Sequence, residues 1–272
     1  SDPPSRGASL GERPSAAGLG SAFWGKAQPE TGSLHKTHPL IAHSLDVAAV
    51  ATLLPRHHAP FIPSRTLGFL VALHDIGKFS RGFQAMAPEH WPNGVLGPLP
   101  ESGVPVGPRH DAMGLHLLRD DLARALDPVL PDRVEGRWAW DPGTRDKLLR
   151  ALAGHHGRPP SLPTRPGPDL LSHRCIEVAS AFIADMKTIF APPALPRLDD
   201  HASDRLAWHL AGLTTLADWI GSRQAWFPYT DAQAVADPAA YFWDHAMPRA
   251  AAALAAAGLI GARPSRFMGI RR

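Results

Sequence analysis

The stretch Ala72-Leu73-His74-Asp75-Ile76-Gly77-Lys78-Phe79 closes an apolar run that begins at Leu67. It sets an imidazole and a carboxylate side by side where water is scarce, then stops at a glycine and a lysine. A buried ionised carboxylate is costly unless a cation or several donors compensate it. Leu67, Phe69, Leu70, Val71, Leu73 and Ile76 face all directions of a helix, which predicts a central, buried helix over about 64–76 ending at Gly77. Its His-Asp pair can reach two adjoining points of a cleft, and the two carboxylate oxygens can bridge two cations. The simpler reading of the dipeptide alone is a buried His-Asp hydrogen bond.

Outward from this run, apolar residues recur at helical spacing and no stretch alternates as a strand would, so the fold class expected is all-α. Thr37-His38-Pro39 offers a candidate cap and an early proline for a helix through LIAHSLDVAAVATLL up to Pro55. Further helices are predicted over about 110–126, 144–153, 170–190, 202–222 and 238–257. Residues 87–108 are rich in Pro and Gly and predict a long loop, a type of segment that is often functional. Residues 1–22, rich in Pro, Gly and Ser, predict a disordered lead or a cloning remnant. One domain is expected over 23–258, and 259–272 form a tail or linker.

The chain has 272 residues, 44% of them apolar, enough to bury a substantial core. Its 28 basic and 25 acidic residues are compatible with a polyanionic partner but fall far short of a histone-like excess. Fifteen histidines are unusual for this length, and histidine is the commonest metal ligand. The single cysteine, Cys175, excludes an internal disulfide and a multi-cysteine zinc ribbon. No apolar run approaches the roughly 20 residues needed to span a bilayer, so no membrane association is expected and a cytoplasmic location is.

Four other positions carry candidate chemistry. His43 lies among apolar and small residues, where a lone histidine is commonly a satisfied core residue. His38, five residues earlier, is its rival. Gly154-His155-His156-Gly157 ends a predicted helix, and the glycines allow both imidazoles to turn to one place. Two cations favouring a helix C-terminus would explain the same pair. Asp218, between Leu216 and Trp219 of LTTLADWIGS, needs a partner if it is buried, and His110 opens the helix after the Pro/Gly loop. Together these residues place histidines and carboxylates on several helices, the way a helical bundle builds an internal metal site.

The combination H…HD…D resembles the HD phosphohydrolase superfamily. FWGKA at 23–27, HPLIAHSLDVAAV, HDIGKF, RHDA at 109–112, GHHG and ADWIGS resemble, in the same order, the HD nuclease domain of the helicase-nuclease of type I CRISPR systems. The similarity covers about 23–222. It implies a helical bundle around a dinuclear metal site, with His43, His74, Asp75 and Asp218 as ligands of the first ion. Asp75, His110, His155 and His156 match those of the second, so Asp75 would bridge. Imidazole and carboxylate ligation suits Mn, Fe, Co or Ni better than Mg. The resemblance puts Lys78 near the scissile phosphate, where completing a helix C-terminus is the alternative. Ser222 and Arg109, beside matched motifs, are weaker candidates for phosphate contact.

The activity implied is metal-dependent cleavage of single-stranded DNA, by endonucleolytic nicking and 3′–5′ exonucleolytic degradation, in CRISPR antiviral defence. Its partners would be an ATP-dependent helicase domain or subunit and an RNA-guided surveillance complex. A nucleotide phosphohydrolase acting on small phosphoesters is the alternative, although it needs fewer ligands. The near P-loop at 20–27 lacks the final Ser or Thr and a preceding strand, so no ATP site is expected. Trp208, Trp226, Trp243 and Arg223 could stack bases, but packing between helices is their default reading.

Overall fold

A computed structural model describes residues 19–54, 62–131, 143–161 and 164–259, together with two residue pairs at 133–134 and 137–138. His57-His58 and most of the expected lead and tail lie outside the described residues. The molecule is built on helices: α1 (Leu40–Leu53), α2 (Ser64–Ala72), α3 (His110–His116), α4 (Thr144–Ala153), α5 (His173–Phe190), α6 (Asp200–Gly221) and α7 (Met247–Ala256). The strands described are two or three residues long, including β1 (Trp24–Lys26) paired antiparallel with β2 (His38–Pro39). Among the described residues no helix is long and apolar enough to cross a membrane.

The central helix is α1, not α2 as the sequence predicts. Every residue from Leu40 to Ala51 is buried, and α2, α6, α7 and β1 all pack on it. Its start also differs from expectation. No side chain caps it; instead the Leu40 N–H donates to the Phe23 carbonyl at 2.8 Å, so the β1–β2 pair supplies what a capping side chain would.

Helix α2 stops at Ala72, four residues earlier than expected, and His74-Asp75 lie beyond it in a tight turn. There the N–H groups of His74, Ile76 and Lys78 donate to the carbonyls three residues back, and a short 3-10 helix covers Ile76–Phe79. Gly77 has a different role from the expected helix stop. A Cβ added there would overlap the His110 carbonyl and the Gly114 nitrogen, so its bare backbone lets the start of α3 press against the turn.

Helices α5 and α6 have caps the sequence reading did not use. Ser172 Oγ accepts from the Cys175 N–H at 3.4 Å, and Asp199 Oδ1 accepts from the Ala202 N–H at 2.7 Å. Such caps satisfy donors that a helix start otherwise leaves orphaned. The buried stripe of α6 runs through Leu206, Leu210, Leu213, Thr214 and Ala217 to Asp218, which carries that carboxylate into the interior opposite α1. The region 87–108 is irregular apart from single helical turns at Pro88–His90 and Asn93–Leu96.

Candidate metal centre

Five separate segments deliver one cluster: His43 from α1, His74-Asp75 from the turn after α2, His110 from the start of α3, His155-His156 from the turn after α4, and Asp218 from α6. Asp75 is at its centre and is buried. Its Oδ2 lies 3.1 Å from His43 Nε2 and 3.3 Å from His74 Nε2. Its Oδ1 faces the other way, 3.3 Å from His110 Nε2 and 3.6 Å from His155 Nε2. His156 Nε2 stands 2.9 Å from His110 Nε2. Asp218 Oδ1 is 3.4 Å from His43 Nε2 and 3.8 Å from His74 Nε2. All seven sequence-predicted ligands therefore converge. His38 does not join them, because it pairs with Asp46 at 2.9 Å in a separate buried cluster with Tyr241.

The paired histidines reach the site because the chain leaves helical geometry after Ala153, with Gly157 at a φ of +100°, a conformation that glycine adopts without strain. Thr215 of α6 clasps this turn, donating its hydroxyl to the His155 carbonyl at 2.9 Å. His74 and His155 are aimed alike: Nδ1 of each is 2.8 and 3.1 Å from the carbonyl three residues back, Val71 and Leu152. A backbone carbonyl bound to one ring nitrogen fixes the ring and turns the other toward a metal.

Atoms without a hydrogen bond test whether these residues fit an ion. His43 Nε2, His74 Nε2, His155 Nε2 and Asp75 Oδ1 are buried and make none, although each lies close to an oppositely polarised atom of the cluster. Buried polar atoms are normally satisfied. Here their lone pairs converge on the same space instead, and the ligand atoms of His43, His74 and Asp75, like those of Asp75, His110, His155 and His156, all lie within 4.8 Å of one another. This donor set fits divalent cations.

The electrostatics favour the same protonation states. Burial, with Lys26 nearby, pushes His43 down to about 4, and burial does the same to His110. Burial and the neighbouring His155 lower His156. Burial works against the charge on Asp75, but Lys78 and His74 outweigh it and hold the carboxyl well below its usual range. His43 and His74 hold Asp218 low against burial in the same way. Neutral imidazoles and ionised carboxylates are the forms that bind metal. His74 is the exception: burial opposes its charge, yet Asp75 and Asp218 push it up to about 9, so it carries the proton that a cation would displace.

Lys78 is buried, and its Nζ donates to Asp75 Oδ2 at 2.6 Å and to the Gly25 carbonyl at 3.1 Å. Ser222 Oγ donates to Asp218 Oδ1 at 2.8 Å, which makes it an anchor for that carboxylate. Arg109 is exposed and lies 3.4 Å from Asp111. Two residues of the site escaped the sequence reading. Lys26 Nζ is 3.8 Å from Asp218 Oδ1 with its side chain 30% exposed; its motif FWGKA supports the family resemblance without marking the lysine as part of the site. Gln84, fully buried, donates from Nε2 to the carbonyls of Trp24 and Lys78 and accepts the Trp24 N–H on Oε1. It thereby joins β1 to the HDIGKF turn. Its only sequence signal is a polar residue soon after that motif.

Comparison with known proteins agrees with this geometry. The chain is 27% identical to the CRISPR-associated endonuclease/helicase Cas3 of Escherichia coli (strain K12) over 243 residues, 74% of this chain and 25% of the relative. It is also 27% identical to the Cas3 of Thermus thermophilus over 229 residues, 76% of this chain and 23% of that protein. It thus spans about a quarter of the length of either relative. Among solved structures, a CRISPR-associated protein superimposes with a TM-score of 0.66 at 28% identity, over 94% of this chain and 29% of the other. The Thermus thermophilus Cas3 HD domain crystallised in the presence of Ni2+ matches in fold, with a TM-score of 0.56 at 21% identity over 90% of this chain and 92% of that one. The family model for the Cas3 HD domain matches residues 24–227, and the chain belongs to that family.

Proposed function

We propose that this chain is a metal-dependent single-stranded DNA nuclease that hydrolyses phosphodiesters at a site for two divalent ions. The observation that carries the reading is the division of Asp75, whose Oδ2 faces His43 and His74 while its Oδ1 faces His110 and His155. His43, His74, Asp75 and Asp218 would hold one ion, and Asp75, His110, His155 and His156 the other. Mn, Ni, Co or Fe suit this mixed nitrogen and oxygen set better than Mg, which favours oxygen. When bound, such a pair supplies an acidified water and stabilises charge on both oxygens of an in-line displacement.

The chain's own residues prepare the rest. His156 is exposed and His110 partly so, while His43, His74 and His155 are buried; substrate therefore enters on the His110/His156 side. Lys78 neutralises Asp75 and fixes it against Gly25. An ammonium has three donors, so one remains for a phosphate oxygen. Lys26, more exposed, adds positive charge beside Asp218. Nicking and 3′–5′ degradation follow if the site accepts both internal and terminal diesters. An ATP-dependent helicase, in the same polypeptide or another, would deliver the strand, and an RNA-guided surveillance complex would expose it. The endonuclease/helicase description of the Cas3 relatives supports that arrangement.

The test offers circular single-stranded DNA, duplex DNA and free nucleotides to wild type and Asp75→Ala, with Mn or Ni and with chelator. Cleavage of the circle by metal-loaded wild type alone is expected. Turnover confined to mononucleotides would make the chain a nucleotide phosphohydrolase instead.

A further inference from the structure

Helix α6 turns one face to the metal centre and leaves an aromatic face outside. Trp208 and Trp219 are 81% and 71% exposed, against the packing role expected for Trp208. Eleven residues are close to three helical turns, so the two indoles share one side of α6, about 16 Å apart. Between them lie Ala211, Gly212, Thr215 and Leu216, and the small Ala211 and Gly212 form the floor of a groove of about 670 Å³. A Cβ added at Gly212 would meet nothing within 4 Å, so the glycine keeps this floor low without any packing need of its own.

The groove continues toward the chemistry. Through Arg158 and Pro159 it adjoins a second hollow of about 550 Å³ that contains His156 and Arg109. Through Pro108 and Arg109 that hollow adjoins a third, of about 590 Å³, which contains His110, Phe83 and Met86. These neighbouring hollows, taken together as one track, border the two accessible histidines of the centre. Arg158, at the junction, is exposed and has no acidic partner among the described residues. The carboxylate of Asp204 at the far end is offset by Lys147 at 2.5 Å. Arg158 and Arg109, the latter beside Asp111, stand where the track meets the metal centre, and bare indoles stand beyond them.

We infer that this track is the binding path of single-stranded nucleic acid, with Trp208 and Trp219 as the platform on which bases stack and Arg158 as a phosphate contact. The inference rests on the nuclease reading for its direction toward the metal centre. Indoles beside a positive groove are the sequence-tolerant way of holding an unpaired strand, since every base has a π-face. Adjacency favours nucleic acid over a protein partner: Arg158 lines both the indole groove and the hollow of His156, so a domain seated on the indoles and Arg158 would also cover the approach to His156.

Anisotropy of a labelled oligothymidylate longer than the track, measured in chelator so that nothing is cleaved, tests this. Trp208→Ala and Trp219→Ala should each weaken binding about tenfold, within the range for loss of one stacked base. Trp208→Phe and Trp219→Phe should restore most of the affinity. Arg158→Ala should weaken binding and flatten its salt dependence, and Trp243→Ala, on another element, should change nothing. Unaltered affinity in both alanine variants, or no binding by wild type, would overturn the path. So would variants that bind oligothymidylate normally but no longer associate with the remainder of a full-length Cas3-type polypeptide. If the variants behave as expected while metal-loaded wild type cleaves no strand, the path stands and the nuclease reading fails.

Discussion

At the scale of single residues, Asp75 explains why a charge can sit in this core. Lys78 at 2.6 Å and the proton-bearing His74 at 3.3 Å compensate it without metal, and divalent ions would compensate it further. Replacing His156 by Ala should lower the metal content toward half, because the His43 side keeps its ligands; His43→Ala should deplete the other ion. Equal metal content in all variants, measured by elemental analysis, would contradict the assignment. Lys78→Ala should keep both ions but lose at least tenfold in turnover of single-stranded DNA, and an unchanged rate would remove Lys78 from the mechanism. His74 gives a pH signature. Its folded pKa of about 9 lies above the ordinary 6.5, so its bound proton stabilises the metal-free protein fully below pH 6.5, and that contribution disappears as pH rises through 9. The melting temperature of chelated protein should fall across that window. Metal-loaded protein, in which His74 has given up the proton, should lack the fall; identical curves would show that His74 binds no ion.

At the scale of elements, the turn after α2 depends on neighbours distant in sequence. Gln84 holds β1 to it through three hydrogen bonds of its side chain. Gln84→Ala would orphan buried backbone groups of Trp24 and Lys78, at about 1–3 kcal/mol each when unsatisfied. A loss of about 3 kcal/mol in urea unfolding is expected, with weaker metal binding; a loss under about 0.5 kcal/mol, typical of surface changes, would contradict the role given to it. This layer was the least legible in the sequence. The limits of α4 were readable because Gly154 follows its last turn, and those of α5 and α6 came within three residues. Gly77 was misread because a glycine that ends a helix and one that admits another helix look the same without the partner. Trp208 and Trp219 were legible in principle, since the apolar stripe of α6 at 206, 210, 213 and 217 leaves both positions outside it.

At the scale of the whole molecule, an all-α fold and its candidate metal centre could be read from motif order, because five separate segments each contribute one or two histidine or aspartate ligands and the motifs name them. Assigning the central place to α1 required the packing, since α1 and α2 are both apolar and only contact with α6 and α7 distinguishes them. Lys26 was missed for a related reason: β1 reaches Asp218 only through the folded chain. The claim on which the rest depends is that one buried carboxylate joins two ions. Anomalous diffraction from crystals soaked in Mn or Ni measures this most directly. Two peaks flanking Asp75, one toward His43, His74 and Asp218 and one toward His110, His155 and His156, are predicted; a single peak away from Asp75, or none in a well-ordered site, would contradict it.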